Sequence, residues 1–377
     1  MRAIFLLLTA FIFSLPITAQ PVKGSDNTLN NTNPAYVNQY RRIDHYLVDS
    51  RTPVKTVQLC FNIFVDPASL PDTTHVRNEL KQTLAWINGW YSNVSPPTDS
   101  FPGVERVTDT KIRFEVRDRI YFYQNAKLYK SCYTTELEKA VKTTDSTRLN
   151  YLNVYFSYGP CTQHAAPPYP GFDYYGASGS WKSNLFALIP ITEVNYATAQ
   201  ALAHELGHTL DLMHTYEASC CHETCDANSP EYLDDLFGTT PNKNCWHDGG
   251  WSCDPNSSSN KCTNNMMGGV ATVSYYFSPK QIAKMHRALS VKSAKKYVKE
   301  TGTRGSPIII KGEEVWDFDM RVYGDIIVKK KSKLIIKGNI TLPENAKVVV
   351  KRRGKLEMQG GKLVKSTTGE APKIRRK

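Results

Sequence analysis

Residues 203–214 read AHELGHTLDLMH. His204 and His208 stand four residues apart, so on a helix they project to one side and can share an ion at about 2.0–2.1 Å, the usual zinc–nitrogen distance. Glu205 beside them is poorly aimed as a third ligand and well placed as a general base toward a zinc-bound water, whose pKa the metal lowers toward neutrality. His214 is the third candidate ligand. On a continuing helix it would lie about 15 Å beyond His204 along the axis, too far to share the ion. A three-histidine site therefore requires a sharp turn near Asp211, through left-handed backbone that glycine adopts freely and aspartate at a cost on the order of 1 kcal/mol. That cost is small beside zinc binding, so the spacing predicts an intact zinc site. Coincidence at this spacing is roughly a one-in-several-thousand event for a chain of this length at average residue usage.

The histidines need a helix and a scaffold. Asn195 is a candidate N-cap, and Ala199, Leu202, Ala203, Leu206 and Leu210 form one apolar stripe at the helical period, opposite His204 and His208. Upstream, VKTVQLCFNIFVD reads as a strand, and Val76, Leu80, Leu84 and Ile87 mark a helix. KIRFEVRDRIYFYQ, LNYLNVYFSY and NLFALIPI supply further strands of a mixed sheet. Downstream, Ser278 with Pro279 opens a closing helix whose buried stripe is Ile282, Met285 and Leu289. TGTRGSP, 301–307, is a boundary by composition. Beyond it, IIVKKKSKLIIKG and VVVKRRGKLEMQG match at a fixed offset, the pattern of a small β-solenoid or compact meander.

The first nineteen residues combine Arg2, an apolar run and a small-residue end, the pattern of a secretory signal peptide, and Pro16 closes the run too early for a membrane anchor. No cysteine follows that point closely enough to carry a lipid, and no later segment is apolar enough to span a bilayer. Export permits disulfides. Six of the nine cysteines, Cys220, Cys221, Cys225, Cys245, Cys253 and Cys262, crowd one stretch that reads as a stapled loop rather than a second metal site. The net charge of +12 is concentrated at the end: residues 305–377 hold 18 Lys and Arg against 8 Asp and Glu. Charged strand faces usually discourage edge pairing, and the alternative is contact with an anionic surface or glycan. Nothing points to a specific nucleic acid.

HELGHTLDLMH with the downstream NNMMGG resembles the metzincin zinc peptidases, and within them the pappalysin-like group. The resemblance runs over about residues 60–290, through YEASCCHETC, YLDDLFGTTPNKNC and YFSPKQIAKMHRAL. It implies His204, His208 and His214 as zinc ligands, Glu205 as the base, and Met267 beneath the site, with Met266 the alternative. It also implies calcium near the cysteine-rich loop, with Asp234 and Asp235 as candidates. The sequence departs from the family at Asp211, and at Gly269, where a tyrosine that assists at the reacting carbonyl commonly stands; Tyr275 and Tyr276 are nearby substitutes. No acidic residue follows the methionine turn, so no preference for cutting beside basic residues is expected.

The expectation is an α+β protein: signal peptide 1–19, linker or short prosegment 20–51, metzincin-type catalytic domain 52–300, linker 301–307, and a basic all-β, solenoid-like domain 308–377. It would be a secreted, bacterial zinc endopeptidase acting on protein or peptide. The alternative is a weakly active or inactive metzincin scaffold that binds rather than cuts. Within 20–51, Asp26, Asp44 or Asp49 are the residues able to latch the metal, since the segment has no cysteine.

Overall fold

The computed structural model describes residues 39–97, 106–131, 134–157, 175–177, 186–190, 196–215, 223–224, 228–236, 240–242, 245–247, 264–268, 275–300 and 305–377. Residues 1–19, expected to be a signal peptide, Asn195, Gly269 and the side chains of the crowded cysteines lie outside these residues.

The first half is a six-stranded sheet with helices. In chain order it runs β1 (Lys55–Val65), α1 (Thr73–Ser92), β2 (Ile112–Glu115), β3 (Ile120–Gln124), α2 (Ala126–Tyr129), α3 (Thr134–Thr144), β4 (Leu152–Ser157), β5 (Tyr175–Ala177), β6 (Phe186–Pro190) and α4 (Tyr196–Thr209). The order across the sheet is β2-β1-β4-β6-β5, with β3 continuing β2 along the same edge of β1. Every pairing is parallel except β5 with β6. The segment KIRFEVRDRIYFYQ, which alternates like one strand, is broken where Arg117 takes a φ of 49°. Period-2 alternation divides the long β1 between two cores. Val57, Leu59, Phe61 and Ile63 face α1 and α4, whereas Phe64 packs with Leu137, Val141 and Tyr155 on the α3 side. A parallel sheet covered on both faces is the arrangement its uninterrupted apolar strands require.

A two-stranded ribbon, β7 (Thr240–Asn242) with β8 (Cys245–His247), precedes α5 (Pro279–Val291). The start signal of α5 is complete: Ser278 Oγ accepts from Gln281 N, and the Gln281 side chain accepts in return from Ser278 N. Helix α5 is buried nearly all round, its charged residues included.

The C-terminal region is a three-sided parallel solenoid. Its first rung is β9 (Ile308–Ile310), β10 (Glu313–Trp316) and β11 (Met320–Arg321). The second is β12 (Ile326–Val328), β13 (Lys333–Ile336) and β14 (Asn339–Leu342), and the third is β15 (Val348–Val350), β16 (Lys355–Met358) and β17 (Lys362–Lys365). A last strand, β18 (Ile374–Arg376), opens a fourth. The repeat visible in the sequence is the stacking of rungs two and three, Ile326 on Val348 and Lys333 on Lys355.

The solenoid leans on the sheet-and-helix unit. Tyr323 donates to the Leu289 carbonyl, the Lys55 ammonium lies 4.0 Å from the Tyr323 ring centre, and Arg321 pairs with Glu300 at 3.5 Å. Residues 39–46, within the stretch expected to be a linker, are wedged between the two. Tyr40 belongs to the solenoid core against Trp316, and Ile43 packs with Ala283 of α5. Two buried apolar anchors on this otherwise polar stretch are the physical reason it does not behave as a linker there.

Candidate metal centre and its supports

Helix α4 lies with Ala199, Leu202, Ala203, Leu206 and Leu210 fully or almost fully buried, as the stripe predicts. Tyr91 of α1 donates to the Ala203 carbonyl at 3.0 Å, fixing the helix at the level of the first histidine. Past Thr209 the chain turns. Asp211 takes a φ of 77°, and Leu212 N returns to the Gly207 carbonyl, the kind of αL termination that caps helices. The turn brings His214 back beside the helix.

The three imidazoles converge. His208 Nε2 lies 3.1 Å from His204 Nε2 and 3.1 Å from His214 Nε2. Three nitrogens sharing one tetrahedral zinc at about 2.0–2.1 Å would stand about 3.3 Å apart, so the donors are at close to the right spacing. Their proton positions follow from the partners. His204 Nδ1 is 2.8 Å from the Met266 carbonyl and His208 Nδ1 is 2.8 Å from the Leu212 carbonyl. A carbonyl only accepts, so each Nδ1 carries the proton and each Nε2 presents its lone pair inward. Burial lowers both imidazoles, His204 to about 4, keeping them in the neutral form that binds metal. Lone pairs aimed at one another are mutually repulsive unless a cation lies between them, so the donor set fits a metal ion. Among the described residues it is also the only set of three or more possible ligands close enough to share one.

Glu205 sits on the same helix, 2% exposed, with Oε2 buried and without a hydrogen-bond partner. Burial pushes its carboxyl up to about 8. A carboxyl with proton affinity raised in this way can both take up and release a proton near neutrality, as general acid–base chemistry requires.

Met267 lies beneath the site. A Cβ placed on Gly207, between the two helical histidines, would stand 2.5 Å from Met267 Sδ, so the methionine occupies the space glycine leaves. The turn carrying it is held by Asn265, which accepts from Met267 N at 2.9 Å and exchanges two hydrogen bonds with Gln281 of α5. Met266 is buried too, but its part in the site is its carbonyl on His204.

Neither nearby tyrosine reaches the site by any contact described. Tyr275 Oη accepts from Gln200 at 3.1 Å and meets Tyr196 Oη at 2.9 Å, one helical turn before His204. Asp234 and Asp235, the candidates for calcium, have protein partners. Asp235 accepts from Ser278 Oγ and Lys280 N at the start of α5, and Asp234 pairs with Lys280 at 2.8 Å. The cation among these carboxylates is therefore a lysine, and Asp44 joins it at 3.2 Å. Asp49 is taken up by Arg51, so neither Asp44 nor Asp49 is directed at the histidines; Asp26 lies outside the described residues.

Sequence reasoning missed a buried ionic network behind the third histidine. Arg287 of α5, 0% exposed at its side chain, binds Asp211 at 2.9 Å and Glu231 through two bonds of 2.6 Å. Lys292 reaches Asp211 at 2.5 Å, and Lys284 pairs with Glu223 at 2.6 Å. Glu223 brackets the histidine itself: its side chain accepts from Met213 N, and its N–H donates to the His214 carbonyl. Burial opposes ionisation of Asp211, yet Lys292, then Arg287 and Lys284, outweigh it and hold the carboxyl at about 2. The aspartate where a glycine would be least strained thus anchors α5 to the turn. Its signal in the sequence was the excess of Lys and Arg on the helix KQIAKMHRAL, whose faces are too apolar overall for all of them to meet water.

Residues 135–290, somewhat less than half of the chain, match the M43 peptidase family, described as pregnancy-associated plasma protein-A. No curated protein matches the chain. The matched stretch carries α4, the histidine turn, the methionine turn and α5, and over it the chain is similar to that family of pappalysin-like zinc metallopeptidases; a C-terminal β-rich region follows.

Proposed function

We propose that the protein is a secreted zinc endopeptidase in which His204, His208 and His214 hold the metal and Glu205 moves the proton. The observation that carries this reading is the convergence of three histidine Nε2 atoms, with a buried glutamate bearing an unpaired oxygen on the same helix. Zinc, when bound, supplies Lewis acidity toward a peptide carbonyl and makes water acidic enough to ionise near neutrality. Glu205 accepts the proton of the attacking water on a carboxylate oxygen and, once protonated, delivers it to the leaving amine. The carbonyls of Met266 and Leu212 hold two of the rings so that their lone pairs stay aimed. Export rests on the pattern of residues 1–19, and N-terminal sequencing of protein recovered from the medium of the producing cell tests it.

The functional test is cleavage profiling of a diverse peptide library with zinc-loaded protein and Glu205→Gln. Loss of general-base catalysis predicts cuts slowed by about 10²–10⁴-fold, with zinc content unchanged. The second reading, a metzincin scaffold that binds without turnover, draws on Gly269 standing where tyrosine is common. It prevails if the folded, zinc-loaded protein makes no cut that Glu205→Gln does not also make.

A further inference from the structure

The solenoid places its positive charge in a pattern that the sequence repeat only hints at. Ile310, Val328, Val350 and Arg376 stack in register at the end of one sheet. The next residue in each rung is Lys311, Lys329, Lys351 and Lys377. Ladder bonds from Lys329 N to Ile310 O, Lys351 N to Val328 O and Lys377 N to Val350 O continue the stacking through that position. One lysine thus stands over another, about 4.8 Å apart, along a single corner of the solenoid. The corner continues into exposed Lys330 and Lys331 in the second rung and Arg352 and Arg353 in the third. Lys331 and Arg353 share the same left-handed backbone, with φ of 61° and 59°.

None of Lys311, Lys329, Lys330, Lys331, Lys351, Arg352, Arg353 or Lys377 has an ion pair among the described residues. The two carboxylates beside the corner, Glu313 and Glu357, are directed at Lys333 instead. Protection of a sheet edge does not explain the row, because its densest part lies on the second and third rungs, which are paired on both sides. Rigidly stacked like charges cost stability unless something of opposite sign spans them.

We propose that this corner is a binding ridge for a linear polyanionic glycan, a chain of sulfated or uronic sugars lying along the solenoid axis. The charges repeat along a line at about the length of one sugar unit. The outward face beside the ridge is an aliphatic ledge of Ile309, Ile327 and Val349, flat enough for the C–H face of a sugar ring. Bases would find no aromatic side chain on the corner to stack upon. A bilayer would find no tryptophan or tyrosine on the ledge to anchor in its interface. The proposal is independent of the peptidase reading.

The test uses full-length protein and a heparin-derived dodecasaccharide, titrated at near-physiological ionic strength, where unspecific surface attraction is largely screened. The ridge variant is Lys329→Gln/Lys330→Gln/Lys351→Gln/Arg352→Gln. The matched control removes four exposed charges elsewhere: Lys337→Gln/Lys347→Gln/Lys362→Gln/Lys373→Gln. The ridge variant is expected to bind at least about tenfold more weakly, with a shallower dependence of affinity on salt, and the control to stay within about threefold of the parent. If the four-site ridge variant melts early, the exposed pair Lys330→Gln/Arg352→Gln must still weaken binding without a change in melting temperature. Equal losses in ridge and control variants, or no binding by the parent protein, overturn the proposal. So does tighter binding of double-stranded DNA or of anionic phospholipid vesicles than of the oligosaccharide.

Discussion

Asp211 and the solenoid corners Lys331 and Arg353 adopt the same left-handed backbone for opposite reasons. At the corners, strain is held by the ladders on either side: Lys329 and Lys333 bond to the first rung and Lys351 and Lys355 to the second, while Lys331 and Arg353 form no ion pair among the described residues. At Asp211 the strain is held by side-chain chemistry, with Arg287 and Lys292 closing on the carboxylate from α5. The first device shapes a surface, and the second holds the turn that brings His214 to the other two histidines. Because the backbone is alike, the same perturbation should act differently in the two places.

The largest effect is expected from Arg287→Met. It leaves Asp211 and Glu231 without their shared buried cation and should cost about 3–5 kcal/mol in chemical denaturation, with loss of zinc retention against a competing chelator. Removing a corner cation should leave stability nearly unchanged. Next is Asp211→Asn, which keeps a side chain tolerant of the left-handed region and deletes the charge. A loss of about 2 kcal/mol and weaker zinc retention are expected, whereas an unchanged protein would show that backbone geometry alone places His214.

The pH dependence has a definite sign. The folded Asp211 carboxyl, at about 2, lies below the value of about 3.9 for an unfolded chain, so its contribution is fully present above about pH 4 and is lost as pH falls toward 2. Thermal melting followed from pH 5 to pH 2 should decline less steeply in Asp211→Asn than in the parent. The smallest effect is the sharpest comparison. Lys331→Gly and Arg353→Gly relieve strain that outweighs the entropy of a freer unfolded chain and should each stabilise by about 0.5 kcal/mol, whereas Asp211→Gly relieves the same strain and should still destabilise.

What was legible in the sequence was whatever depended on period and spacing. The stripe of α4, the histidines opposite it and the turn at Asp211 follow from helical geometry. The cap at Ser278 with Pro279 after it and the matched strands of rungs two and three follow from local pattern. The first rung escaped because its corner, Lys311–Gly312, is shorter than Lys329–Ser332, so its strands fall out of the repeat. The ionic network escaped because hydropathy assigns lysine and arginine to solvent, and only the long-range pairing of α5 with residues 211, 223 and 231 reverses that. Residues 39–46 escaped because a polar stretch carried only two apolar anchors, each needing a surface built by residues far along the chain.

That last segment has a bearing on maturation. The Arg41 carbonyl accepts from Arg287 at 3.1 Å, Tyr46 donates to the Tyr40 carbonyl, and the Tyr40 ring closes one end of the solenoid core. Any proteolytic trimming of the N-terminal segment must stop short of Gln39 to leave these contacts in place. A cut a few residues later would take Tyr40 out of the solenoid core and leave the junction to Tyr323, Lys55 and Arg321.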